Sequence, residues 1–351
     1  MHYLNPRLDR SHVVFFYRNF QKLAQACHIG LGVNALHSVK MLRAQKIRAD
    51  AAGVGTVEDV SAYLSVSPSI THAVIEAPWI GTQALEALMS AFPHVHFIVR
   101  THSEVGFLQA DPGAVQLIRE QILLAEGSVN FSVAANSQRL TDCLRAVYDA
   151  RVLCLPNLYD LQRTSRKRDE RHEHGVVNIG SFGALRPQKN HASAAAAALM
   201  IARERQVRLV FFMNVNRNEG GGPVLEAVRG FFKGLPWAEL REVPWCSWPE
   251  FRRVVAHMDL VLAPSSTESF MLTTADAVAE GVPAVVSHSI AWAPESWKVG
   301  GDDLEGIARI GSSLLSSRTG AAEGLRALEA YMEKALGTWT SYLAGPPEGR
   351  A

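Results

Sequence analysis

Four residues stand out for what their side chains could hold. Arg186 and Lys189 lie three positions apart in the segment GSFGALRPQKN, Gly180 to Asn190. Glu268 and Asp276 lie eight apart in PSSTESFMLTTAD, Pro264 to Asp276. A guanidinium is a planar fork of donors and an ammonium a compact point charge, so the first pair suits a diphosphate. Carboxylates accept hydrogen bonds from neighbouring hydroxyls, so the second pair suits the vicinal diols of a sugar or a ribose.

The flanking residues say what must position them. The first segment follows the strand pattern Val176–Ile179 and precedes an Ala-rich helical pattern from about Ala192 to Glu204. In open α/β sheets, ligands sit outside the carboxyl ends of strands. Gly180 and Gly183 let the backbone come close to a ligand there, and the helix that follows aims its positive end at the same space. The second segment follows a strand at Leu260–Ala263 and runs into a helix at Thr273–Glu280. Backbone amides at its start, around Leu272 and Thr273, would meet phosphate. Asp276 stands among Phe270, Met271, Leu272, Ala275, Ala277 and Val278. That surrounding predicts a buried acid, which needs a partner.

The same alternation fills the chain. Strand patterns at Val13–Tyr17, Ala73–Glu76, Val95–Arg100, Phe131–Ala134 and Val152–Leu155 interleave with helical ones at about Asn34–Gln45, Thr82–Ala91, Pro112–Glu126 and Leu140–Tyr148. It resumes with strands at Arg208–Met213, Leu240–Val243 and Ala284–Ser287, and helices at Val224–Phe232 and Trp248–His257. Strands alternating with such helices predict parallel sheets built from βαβ units. The charged stretch QRTSRKRDERHEH, Gln162 to His174, cannot build core and reads as a linker. The expected division is residues 1–160, a linker at 161–175, a second domain at 176–320, and an amphipathic C-terminal helix with its tail at 321–351.

These motifs resemble those of GT-B glycosyltransferases, in the large retaining family of glycogen- and lipopolysaccharide-type transferases (family 4 style). SFGALRPQKN is similar to its glycine–Arg–Lys donor loop. PSSTESFMLTTADAVAEGVPAVVS is similar to its E-x7-E motif and the small-residue run behind it, here Ala279, Gly281, Pro283 and Val285. The resemblance implies two Rossmann-like domains facing a central cleft, with the C-terminal helix packing back on the N-terminal domain. It implies that Arg186 and Lys189 neutralise a nucleotide-sugar's diphosphate, that Glu268 contacts the transferred sugar, and that Asp276 binds the ribose. Two positions depart from the pattern: Asp276 replaces Glu, and Met271 replaces the glycine after the aromatic residue.

The N-terminal half carries fainter marks. His28-Ile-Gly-Leu-Gly32 resembles the family's glycine-rich loop, which puts Gly32 opposite the donor. His102 sits where the family often has a histidine near the sugar's reactive carbon. Asn136-Ser137 and Leu155-Pro-Asn157 resemble landmarks that close the first domain, with Leu158 in place of the usual glycine. The implied chemistry is sugar transfer with retained configuration, from a UDP-sugar or a GDP-sugar, with no metal required.

Composition bounds the partners. The chain has 351 residues and a formal net charge of +1, so it is not a strongly basic nucleic-acid binder as a whole. Residues 1–49 nevertheless hold eight Lys/Arg against the single acid Asp9. An anionic acceptor (DNA, a lipid surface or a glycan) would suit that excess. A phage-type enzyme acting on hydroxymethylated DNA is one alternative, and a non-catalytic nucleotide-sugar binder is another. Four dispersed cysteines suggest free thiols in a reducing compartment. No secretory leader and no apolar run of about 18 residues is present, so a cytoplasmic protein is expected.

Overall fold

The structure is a computed structural model that describes residues 8–19, 30–163 and 175–345. Most of the charged stretch read as a linker, residues 164–174, lies outside the described residues, as do His28, Arg7 and Lys22. The chain divides into two compact units. One comprises Met1–Asp160 with Met332–Ala351, the other Leu161–Tyr331.

The first unit contains β1 (His12–Arg18), α1 (Gly30–Ala44), β2 (Arg48–Val54), α2 (Val57–Ser65), β3 (His72–Glu76), α3 (Thr82–Ala91), β4 (His96–Thr101), α4 (Val105–Leu108), α5 (Pro112–Glu126), β5 (Phe131–Ala135), α6 (Gln138–Tyr148) and β6 (Leu153–Cys154). Its six strands are parallel, in the order β2-β1-β3-β4-β5-β6. Val13, Val14, Phe15 and Phe16 are all fully buried. A central parallel strand is covered on both faces, which is why it reads as an unbroken apolar run.

The second unit contains β7 (Val176–Ser181), α7 (His191–Arg205), β8 (Arg208–Asn214), α8 (Gly222–Phe232), β9 (Ala238–Val243), α9 (Trp248–Ala256), β10 (Leu260–Ala263), α10 (Leu272–Ala279), β11 (Ala284–Ser287), β12 (Lys298–Val299), α11 (Leu304–Ser316) and the first half of α12 (Gly320–Ala344). The strand order is β12-β11-β10-β7-β8-β9, again all parallel. This is the doubly wound order, in which the winding reverses between β7 and β10.

The sequence reading lacks β2, α2, α4, β12 and α11, and it starts α1 too late. The segment RADAAGV forms β2 although alanine and aspartate are poor strand formers, because it pairs residue for residue with β1. Helix α2 was missed too, despite a capping box in which Thr56 and Asp59 bond each other's backbone. Gly32 is not in a loop. Helix α1 already starts at Gly30, and a side chain at position 32 would come within 2.9 Å of the Tyr17 ring. Packing therefore accounts for that glycine.

The C-terminal helix belongs to both units. Tyr331 packs against Phe270 of the second unit, with ring centroids 5.3 Å apart. Trp339 is fully buried in the first, where its indole lies 5.5 Å from Phe15 and donates to the Pro156 carbonyl at 2.8 Å. Among the described residues, no helix is long and apolar enough to cross a membrane.

Candidate active site

At the reversal between β7 and β10 the two loops leave the same edge of the sheet, the place where open α/β sheets bind ligands. The β7 loop carries Gly183, Arg186 and Lys189, and the β10 loop carries Glu268. Backbone bonds stitch the two loops together. Ser266 N donates to the Gln188 carbonyl at 2.9 Å. Asn190, in the left-handed region at φ 56°, donates through Nδ2 to the carbonyls of Pro264 and Gly301.

This stitching brings Lys189 onto Glu268, with Nζ to Oε1 at 2.5 Å. Both side chains stay partly accessible, at 12% and 15%. Met271 joins them, its sulfur accepting from Lys189 Nζ at 3.2 Å. Gly183, at φ 126°, presents its backbone to the lysine stem, and a side chain there would lie 3.2 Å from Lys189 Cε. The first N–H groups of α10, at Leu272 and Thr273, begin one residue beyond Met271. N–H groups in a first helical turn have no intrahelical acceptor.

Arg186 and Asp276 join other clusters. Arg186 is ion-paired with Glu219, which also binds Arg217 Nε at 2.7 Å. Burial would raise the Glu219 carboxyl, but the two guanidiniums hold it below the usual range. Arg217 lies in turn 4.9 Å from the Trp245 ring. Asp276 is 1% exposed and accepts from Trp248 Nε1 at 3.0 Å. Arg252, fully buried, sits 3.6 Å from Asp276 and donates through Nε to Glu280 at 2.7 Å. The expected partner of the buried acid is thus an arginine–tryptophan pair. The signal was present in the spacing: Trp248 and Arg252 are four apart on α9, and Asp276 on α10 lies four before Glu280 at its C-cap, so each pair shares a face.

In the first unit, His102 follows β4. Its Nε2–H donates to Glu76, and its Nδ1 accepts from Asn136 Nδ2 at 3.1 Å. Asn136 also donates to Asn157, which links two of the landmarks read in the sequence. Glu76 is fully buried and shared with Arg100, whose Nη2 lies 2.5 Å away. Burial lowers the His102 pKa against the pull of Glu76, so the ring is neutral. Burial would raise Glu76, yet Arg100 and His102 keep its carboxyl below the usual range. His102 thus serves as a strut between β3, β4 and β5 with both ring nitrogens engaged. The sequence reading missed Glu76 and Arg100 because both lie inside apolar strand runs.

Among the described residues, no group of three or more His, Cys, Asp or Glu side chains is arranged as a metal site. No protein-family model and no curated protein sequence matches the chain. Solved structures do match it. A sucrose-phosphate synthase from Thermosynechococcus elongatus superposes with a TM-score of 0.69 at 15% identity, over 93% of this chain and 97% of that one. HepE from Anabaena, solved with UDP and glucose, gives 0.64 at 13% identity, over 94% and 97%. TarM from Staphylococcus aureus, solved with UDP and glycan ligands, gives 0.57 at 12%; the match covers 83% of this chain and 58% of TarM. Two six-stranded parallel Rossmann-like sheets with flanking helices, superposing on these transferases over most of the chain, give this protein the GT-B glycosyltransferase fold.

Proposed function

We propose that the chain is a glycosyltransferase. It takes a sugar from a nucleoside-diphosphate donor, a UDP-sugar before a GDP-sugar, and passes it to a hydroxyl acceptor with its configuration retained. The observation that carries this reading is the Lys189–Glu268 pair at the β7/β10 reversal, 2.5 Å apart with both side chains partly accessible. Lys189, Arg186 and the amides of Leu272 and Thr273 stabilise the charge that grows on the leaving diphosphate. Glu268 accepts hydroxyls of the transferred sugar, Asp276 accepts those of the ribose, and Gly183 lets the backbone approach. Arg186 must exchange Glu219 for phosphate to take part. Retention follows the motif resemblance, and the reading invokes no metal.

His102, neutral and doubly bonded, positions the loop behind β4 rather than moving a proton. Gly32 packs on Tyr17 and has no direct donor contact in this reading. UDP is favoured because HepE and TarM were solved with it. A saccharide acceptor is favoured over DNA, for two of the basic residues near the N-terminus are already neutralised. Lys40 pairs with Asp160, and Arg43 with Asp50 at 2.6 Å. The thiols of Cys143 and Cys154 fit a reducing, cytoplasmic setting.

A second reading, a nucleotide-sugar binder without turnover, draws on the engagement of both Arg186 and Asp276 by protein partners. One experiment separates the two. The purified chain is incubated with UDP- and GDP-sugars and with saccharide, lipid and hydroxymethylated DNA acceptors. Release of UDP or GDP is expected with a saccharide. Thermal stabilisation by nucleotide without release under any condition would replace the enzyme by the binder.

A further inference from the structure

Met271 is held in a conformation that methionine avoids. Its backbone lies at φ 64°, ψ 78°, immediately before the first turn of α10. In that region the Cβ of an L-residue crowds the following carbonyl oxygen, and glycine is the low-cost occupant. Such outliers persist only where the surroundings fix them, and they gather at ligand sites. The surroundings here are specific. Met271 is 5% exposed, and its sulfur touches the ammonium that is paired with Glu268. Its neighbour Phe270 is buried, and the Phe270 carbonyl accepts from Trp292 Nε1 at 2.6 Å, which pins the chain on that side.

We infer that Met271 selects the donor sugar, favouring one that turns a deoxygenated carbon toward the Met271 side chain while a neighbouring hydroxyl stays on Glu268. The inference rests on the proposed donor site. A sugar bound through a hydroxyl on Glu268 lies within a few ångströms of the thioether, because Lys189 Nζ touches both groups. Thioether sulfur is a weak acceptor and the rest of the side chain is apolar. A hydroxyl pressed against it gives up water and gains no bond in return, which costs free energy. A methylene or methyl group at the same place gains apolar contact. Glycine here would leave room for a hydroxyl and its water, and asparagine, which tolerates the left-handed region, would offer that hydroxyl a partner.

The test uses the full chain and binding alone, so it needs no acceptor. Affinities are measured for UDP, GDP, UDP-glucose, GDP-mannose and the complete monodeoxy series of each sugar. At least one monodeoxy donor is expected to bind about tenfold tighter than its fully hydroxylated parent, the scale of one unpaired buried hydroxyl. Met271→Gly should erase that preference, Met271→Leu should keep it, and Met271→Asn should reverse it. If Met271→Gly does not fold, the Asn and Leu variants decide between the outcomes. Nucleotides that bind while every monodeoxy donor binds no better than its parent would overturn the selector and leave the donor site standing. Failure of UDP and GDP alike to bind would remove the donor site and the inference with it.

Discussion

Lys189 and Glu268 stand 79 positions apart in the chain and meet at 2.5 Å. Their contact is a product of topology. Strands β7 and β10 are neighbours in the sheet, and their loops leave the same edge before the helices diverge to opposite faces. A cation for phosphate and an acceptor for sugar hydroxyls are thereby placed side by side on separate loops.

The pair makes opposite predictions for its two members. Lys189→Ala removes a charge-assisted contact with the diphosphate, and affinity for UDP should fall by about 1.5–3 kcal/mol, roughly 10- to 150-fold. Glu268→Gln removes the group that competes with phosphate for the ammonium. UDP should then bind at least as well as before, while sugar transfer falls. Calorimetric titration with UDP alone reads the first effect and nucleotide release reads the second. Unchanged UDP affinity in Lys189→Ala would take that lysine out of the site.

Asp276 and Arg252 separate a binding role from a structural one. Arg252→Met leaves two carboxylates, Asp276 and Glu280, buried without their shared cation, and should cost about 3–5 kcal/mol of stability. Asp276→Asn keeps an acceptor for Trp248 and leaves Arg252 with Glu280 as a neutral pair. Its effect on stability should stay within about 1 kcal/mol, while affinity for UDP falls about tenfold through the ribose. Thermal unfolding and calorimetry on the two variants give both quantities. If Asp276→Asn binds UDP like the parent chain, the buried network is all that Asp276 serves.

The parallel sheets and the two loops that carry Lys189 and Glu268 were legible in the sequence because their signals are local. Apolar runs such as Val13–Phe16 mark strands buried on both faces, and loop glycines mark close approach. What the sequence did not yield is pairing across long separations. Nothing near Arg186 announces Glu219, and nothing near His102 announces Glu76; both acids reach their partners through strand order. The reading of Gly32 as a loop residue failed for another reason. A glycine demanded by an aromatic ring across the packing interface looks the same, residue by residue, as one demanded by a phosphate.

The amino ends of the first unit's strands carry a pH dependence that the sequence did not suggest. His72 begins β3 and His96 begins β4, directly paired in the sheet, with ring centroids 6.2 Å apart. Tyr342 of α12 covers His72 at 5.9 Å, Thr71 Oγ1 lies 2.8 Å from its Nδ1, and burial, then Arg151, disfavour a proton on His96. Burial, reinforced by His96, pushes His72 down to about 4, and burial pushes the Tyr342 phenol up. In the unfolded chain His72 would take a proton near pH 6.5. Folding therefore favours the neutral ring, and its contribution is fully present above pH 6.5. It is lost as pH falls from there through about 4, up to about 3 kcal/mol at 1.36 kcal/mol per pH unit. The histidine resonance of His72 should titrate near pH 4 by NMR. His72→Phe, which cannot take a proton, should lose less stability between pH 7 and pH 5 than the parent chain does. A His72 resonance that titrates near pH 6.5 would mean the ring is not sealed beneath Tyr342, and the acid sensitivity would have to come from elsewhere in the unit.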